Sequence, residues 1–163
     1  DLPSPVRLVS RGKVHDGYLP VVDGQLADGR WVSVVHEDRT DVRDAALLDA
    51  VLNNSDRKGS HLVRDAAGRL WGFDHGLTLH ADPKLRTVLW GWAGEPWRRG
   101  DIERLIALAS GLDGPETTLS AALAGLLPAT DVDALRERLV ALLAQGHYPQ
   151  PSRDWPAIPW PAL

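Results

Sequence analysis

The chain contains no cysteine and no methionine, and only one Phe and two Tyr among its 163 residues. Without cysteine there is no disulfide and no thiolate metal site, and a reducing compartment suits the chain. It opens at Asp1 rather than an initiator residue, so it reads as a processed or excised piece of something longer. No apolar run approaches the roughly 18 residues of a membrane span, and no signal-peptide pattern opens the chain. The expectation is a cytoplasmic domain with no membrane span. Nor is one charge sign in excess. Lys and Arg number 18 against 22 Asp and Glu, for a net charge of −4. A global basic field of the kind that holds nucleic acid is therefore lacking. Internal repeats and a dividing low-complexity linker are lacking too. With 44% apolar residues, 1–163 is expected to be a single domain large enough to bury a core.

Three regions are legible in what is present. Residues 1–38 form a β-rich lead-in. Val6-Arg7-Leu8-Val9 alternates like a short edge strand. The segments 18–22 (YLPVV) and 31–36 (WVSVVH) read as strands, with Asp23-Gly24 and Asp28-Gly29 as turns. Residues 39–147 hold a hairpin and helices. Thr40-Asp41 reads as a helix N-cap, with Val42, Ala45, Ala46, Leu48 and Leu52 at helical spacing and Asp49 breaking the stripe. The segment 84–94 has no clean period, and Trp90 and Trp92 there read as core. Ile102, Leu105, Ile106 and Ala109 give one helical face closed by Gly111. Pro115 sits in the first turn of the next helix, with Leu119, Ala122, Leu123 and Leu126 inward. Thr130 with Asp133 resembles a capping box for a last helix that ends before Gly146. Residues 148–163 are rich in Pro and should be extended, pinned to the body by Trp155 and Trp160.

The chemistry concentrates between Asp49 and His80. A helix runs into Asn53-Asn54-Ser55-Asp56-Arg57-Lys58-Gly59-Ser60-His61. A hairpin follows, His61-Leu62-Val63 and Arg69-Leu70-Trp71-Gly72-Phe73, turned at Asp65-Ala66-Ala67-Gly68. Asp74-His75-Gly76 stands where the second strand ends. Two acidic groups at the two ends of one short hairpin can converge. Phosphotransfer asks for little more than an acceptor-orienting carboxylate, ligands for a divalent cation, and cations on the phosphates. Asp56 suits the first role, and Asp74 with His61 the second. Arg57 and Lys58 suit the third, with Lys58 also toward the nucleotide. Each residue has a plainer reading. Asp56 in Asn-Asn-Ser-Asp is also ordinary turn chemistry. Asp-x-Gly alone is a common turn, and Asp49 reads as a structural group bonded to the loop after it. Lys84 and Arg86 either face an acidic substrate or lie solvated on the surface.

The run from Asp49 to His61, with Trp71-Gly-Phe-Asp74-His75-Gly76-Leu77, resembles the catalytic and metal loops of phosphatidylinositol 3/4-kinase-like proteins. More narrowly, it resembles an actinobacterial group of that kind. The likeness extends over Lys84–Pro96 and the closing Trp-Pro-Ala-Ile-Pro-Trp-Pro, from about Gly17 onward. It implies an α+β, mostly α fold: the C-terminal lobe of a protein-kinase-like architecture, with the hairpin carrying both loops. It further implies ATP as donor, Mg²⁺ or Mn²⁺, Asp56 as the catalytic Asp, Asp74 as metal ligand and His61 in the second ligand position. His61 departs from the usual Asn, and imidazole suits Mn²⁺ or Zn²⁺ better than Mg²⁺. Residues 1–40 are too short for the nucleotide-covering lobe, so an N-terminal lobe of the same protein is an expected partner, beside the nucleotide and an unidentified acceptor.

Two other readings stand beside this one. The first is a kinase-like lobe without chemistry, acting as a nucleotide- or protein-binding module. The second is a metal-dependent hydrolase built on His61, Asp74 and His80, although no H-x-x-x-H or comparable spacing supports it.

Overall fold

The structure is a computed structural model, and it describes residues 6–8, 19–20, 23–26, 31–33, 39–114, 117–160 and 162. Among the described residues, six strands lie in two small antiparallel sheets: β1 (Val6–Leu8), β2 (Leu19–Pro20), β3 (Asp23–Leu26), β4 (Trp31–Ser33), β5 (Leu62–Arg64) and β6 (Leu70–Gly72). One sheet has the order β1-β3-β4 and the other β2-β5-β6. The same residues hold four α-helices: α1 (Thr40–Leu52), α2 (Arg99–Leu112), α3 (Thr118–Ala124) and α4 (Ala129–Gln145). The architecture is α+β and mostly helical, as the sequence leads one to expect. No helix among the described residues is long and apolar enough to cross a membrane.

The strands expected near 6–9, 18–22 and 31–36 are present over Val6–Leu8, Leu19–Pro20 and Trp31–Ser33. Asp23-Gly24 is not a turn. It opens β3, whose Asp23 pairs with Ser33 and whose Gly24 pairs with both Leu8 and Val32. Backbone pairing on both sides of that strand overrides the turn preference of its residues. The expected turn at Asp28-Gly29 lies outside the described residues.

The core gathers Val42, Leu47, Ala50 and Val51 of α1, Leu105 and Leu112 of α2, and Leu135, Leu139 and Leu142 of α4. Leu62 of β5 joins it, with Trp92, Trp97 and Tyr148 from the connecting segments. Several expectations about helix ends and faces are corrected. Arg39, not Thr40 or Asp41, is the N-cap of α1, and Asp41 instead accepts the Val42 N–H within the first turn. Thr117 caps α3 by accepting the Ser120 N–H, while Pro115 lies outside the described residues. Pro128 precedes the first residue of α4, so the Thr130–Asp133 box does not form, and Asp133 pairs with Arg136. A proline fixed near φ −60° sets the helix start two residues earlier than the Thr suggests. Of the expected α2 face only Leu105 is buried, whereas Ile102 and Ile106 are exposed. Leu126 follows the end of α3 and is 79% exposed. Gly146 closes α4 at φ 76°, as its position implies.

Trp90–Trp92 forms one turn of 3₁₀ helix, with Trp92 buried. The tail is held less by its tryptophans than by its backbone. Ala157 O accepts from Thr87 N and from Trp90 Nε1, and Ala162 O accepts from Gly59 N. Pro159 is fully buried, while Trp160 lies open at 90% exposure and Trp155 is half-buried. Trp160 therefore does not pin the tail.

Candidate phosphotransfer site

The site starts where α1 stops. Asn53 turns the chain into the left-handed region at φ 52°, a conformation that Asn tolerates better than most side chains. Its side chain then fastens the loop that passes behind it. Nδ2 donates to the carbonyls of His80 and Asp82, at 2.9 and 2.7 Å, and Oδ1 accepts Lys84 N–H at 2.9 Å. Asn54 Oδ1 accepts the Asp56 N–H, and Asn54 Nδ2 donates to Asp49 at 2.9 Å. Ser55 donates to Leu77 O through both its N–H and its hydroxyl. Arg57 then pairs through its backbone with Arg86 O and Val88 N, a short parallel bridge to the segment around Thr87. Residues 53–57 are thus tied on all sides, in keeping with a loop that must hold a side chain still.

Asp49 and Arg57 lie at the centre, 0% and 1% exposed. Arg57 Nε lies 3.0 and 3.1 Å from the two Asp49 oxygens, and Thr87 Oγ1 donates to the same carboxylate at 3.0 Å. The far end of the guanidinium reaches the second loop. Nη1 donates to Phe73 O and Nη2 to His75 Nε2, both at 2.9 Å. Arg57 therefore grips the residues immediately before and after Asp74. The expected place for Arg57, open beside Asp56 and facing phosphate, is not the one it takes. Its charge is neutralised by Asp49, and its role is to position the two loops.

Asp56 and Lys58 do meet, with Nζ 3.3 Å from Oδ2. Arg86 approaches the other Asp56 oxygen at 3.6 Å and donates through Nε to Ser55 O. Arg86 is a member of this cluster that sequence proximity to Asp56 does not reveal. Asp74 stands at the end of β6 in the left-handed region, φ 55°, with its side chain 58% exposed. A non-glycine residue held there by its neighbours is a feature of functional turns. His61 Nε2 lies 3.6 Å from Asp74 Oδ2. Burial pushes the His61 imidazole below its ordinary pKa. The Asp74 charge opposes that shift, and Arg57 and Lys58 reinforce it. The ring is accordingly neutral near pH 7, as a metal ligand must be. In this arrangement His61 Nδ1 faces the Lys58 N–H at 3.5 Å. That contact assigns the ring proton to Nε2, toward Asp74, and ligation through Nε2 would require the other tautomer.

The donor set fits a divalent cation in part. Asp74 offers an exposed carboxylate on a left-handed turn, and His61 a neutral nitrogen beside it. His80 does not join them. Its ring accepts the Asp82 N–H and contacts Lys84 Nζ. Among the described residues, no group of three or more His, Asp or Glu gathers as a metal site. The hydrolase reading on His61, Asp74 and His80 therefore finds no assembled centre.

No protein-family model matches the chain. No solved structure matches it either. Across 164 aligned residues the chain is 43% identical to protein Rv2133c of Mycobacterium tuberculosis, an alignment that takes in 99% of this chain and 58% of that protein. The chain therefore spans little more than half the length of the curated relative it matches.

Proposed function

We propose that the chain, residues 1–163, is the C-terminal lobe of a phosphatidylinositol 3/4-kinase-like phosphotransferase, working in the cytoplasm on a nucleotide and a hydroxyl-bearing acceptor. The observation that carries this reading is the grip of buried Arg57 on both neighbours of Asp74, while the adjacent Asp56 is partly exposed beside Lys58. One side chain thereby ties the loop that carries Asp56 to the turn that carries Asp74, in keeping with transfer between positioned groups. In the proposed reaction the acceptor oxygen bonds to the γ-phosphorus, and the bond to the nucleoside diphosphate breaks with its electron pair. The hydroxyl proton passes to Asp56. Lys58 and Arg86 offset charge on the phosphoryl oxygens. Asp74, with His61, would hold Mg²⁺ or Mn²⁺, which supplies charge neutralisation on the nucleotide phosphates when bound. A lobe covering the nucleotide is the proposed partner within the same protein. The greater length of the relative from Mycobacterium tuberculosis is consistent with one.

The test is calorimetric titration with ATP and Mn²⁺ or Mg²⁺, on this chain and on the full-length protein, against Asp74→Asn. Asparagine keeps the left-handed turn and removes only the charge. Metal-dependent ATP binding that disappears in the variant is the expected result. A full-length protein that binds no ATP with either metal would sink the kinase reading and leave the non-catalytic module as the heir.

A further inference from the structure

The last four carbonyls of α1 have no partner further along the helix. Backbone amides meet three of them. Asp49 O accepts the Asn54 N–H, Ala50 O the Asn53 N–H, and Leu52 O the Leu79 N–H. Val51 O is met by a side chain instead, Arg138 Nη1 of α4, at 3.0 Å. Arg138 reaches it from the edge of the stripe Val132, Leu135, Leu139 and Leu142 that α4 buries. Since α1 has no basic residue in its own last turn, Arg138 supplies a cation at the negative end of that helix dipole. The same guanidinium donates through Nη2 to His80 O at 2.8 Å, a carbonyl that also accepts Asn53 Nδ2. Arg138 is half-buried. Burial pushes its pKa below the ordinary guanidinium value, and the charge of Asp131 opposes that. A cation drawn partly out of water without a close carboxylate costs stability. Packing alone does not account for it, because an aliphatic side chain beside Leu139 would serve that purpose.

From His80 the bonds run on to the site. Asn53 Oδ1 accepts the Lys84 N–H, Asn54 O the Arg86 N–H, and Asn54 Oδ1 the Asp56 N–H. Arg86 in turn approaches the Asp56 carboxylate at 3.6 Å. Arg57 ties this loop to the Asp74 turn, whereas Arg138 ties the helix before the loop to the segment that carries Arg86. We infer that Arg138 is a positioning residue of the phosphotransfer site. By bridging Val51 O and His80 O, it holds the end of α1 and residues 80–86 at the separation that brings Arg86 to Asp56. This rests on the phosphotransfer reading above, and it adds a residue of α4 that acts through Asn53 and Asn54 alone. The bridge needs the planar fork of a guanidinium. Lys carries the same charge on a single nitrogen and gives up the two-pronged geometry.

The test is amide hydrogen exchange on the full-length protein and its Arg138→Met, Arg138→Lys and Arg138→Ala variants. Methionine keeps an apolar stem on α4 and removes the donors, so it separates the bridge from packing. Exchange at the amides of Asp56, Lys84 and Arg86 should quicken about tenfold in Arg138→Met and Arg138→Lys, the usual reach of one hydrogen bond to a charged group. The amides of α2 should keep their wild-type rates. Guanidinium at millimolar concentration, far below denaturing levels, should slow the three amides again in Arg138→Ala, where the space of the side chain stands open. It should leave Arg138→Met as it was. A general loss of stability would quicken exchange in every element and would not respond to guanidinium in this way. Wild-type exchange near Asp56 in all three variants, or equal quickening throughout, overturns the assignment. So does full recovery in Arg138→Lys, because charge at the end of α1 would then suffice without the bridge. Titration of the wild type with ATP and Mn²⁺ separates this from the reading it rests on. Metal-dependent ATP binding beside unchanged exchange removes the bridge alone. No ATP binding beside quickened exchange keeps the bridge and removes the reaction assigned to it.

Discussion

Asp49 and Arg57 face each other in the centre of the molecule, Nε 3.0 and 3.1 Å from the two carboxylate oxygens, with neither side chain open to solvent. Removing one member of such a pair leaves a buried charge without a partner, which costs about 3–5 kcal/mol. Replacing both with apolar groups costs far less. Asp49→Ala and Arg57→Met should each lower the urea midpoint strongly, whereas Asp49→Leu combined with Arg57→Met should recover much of the loss. Strictly additive effects would mean that the pair is not coupled. The double variant should also lose metal-dependent ATP binding even where it folds, because the Arg57 bonds to Phe73 and His75 are then gone.

Asn53 is the second fastening. It occupies φ 52° and makes three side-chain bonds to the segment 80–84. Asn53→Gly removes those bonds but fits the backbone, whereas Asn53→Ala removes them and adds left-handed strain of about 1–2 kcal/mol. Chemical denaturation should therefore rank the alanine variant below the glycine variant. Equal stabilities would mean that the turn relaxes out of the left-handed region at no cost.

How much of this was legible in the residues depends on how local each relationship is. The helix ending at Asn53, the hairpin turned at Asp65–Gly68, and Asp74 at its exit are all set by neighbours a few positions apart, and the structure has them where the sequence places them. Asp49 was legible too, because a carboxylate in an apolar stripe needs a partner. Arg57 was not. Adjacent residues of an irregular loop point in opposite directions, and its partners Phe73 and His75 lie 16 and 18 positions away. Arg86 joins the site only because the segment around Thr87 pairs with Arg57. Helix faces misled for a related reason. Spacing puts Ile102 on the side of buried Leu105, yet Ile102 is exposed, and Leu126 lies past the end of α3.

His61 gives a prediction about metal choice. The resembling proteins carry an oxygen-donating Asn where this chain has imidazole, and nitrogen favours Mn²⁺ over Mg²⁺. His61→Asn should raise the affinity for ATP with Mg²⁺ relative to ATP with Mn²⁺, read by titration calorimetry with each metal in turn. A ratio that does not move would remove His61 from the ligand set and leave it as a neutral donor to Asp74, the role its contact with the Lys58 N–H already favours.

Asp101 supplies a pH dependence far from the proposed chemistry. Burial pushes its carboxyl up, but bonds from Arg98, Arg104 and the Tyr148 hydroxyl outweigh that and hold it well below the ordinary carboxylate range. The Tyr148 phenol is itself pushed up to about 12, by burial first and then by Asp101. The sign follows from the depressed carboxyl. In the unfolded chain Asp101 takes up its proton near pH 4, while in the folded protein it does so only at lower pH. The stabilisation it provides is therefore complete above about pH 4, and it is lost as the pH falls from there through the folded value. Urea midpoints measured from pH 7 downward should show the wild type well above Asp101→Asn at neutral pH, with the gap closing below about pH 4. A gap that stays constant into the acid range would mean that the ion pairs around Asp101 contribute nothing beyond the shape of the side chain.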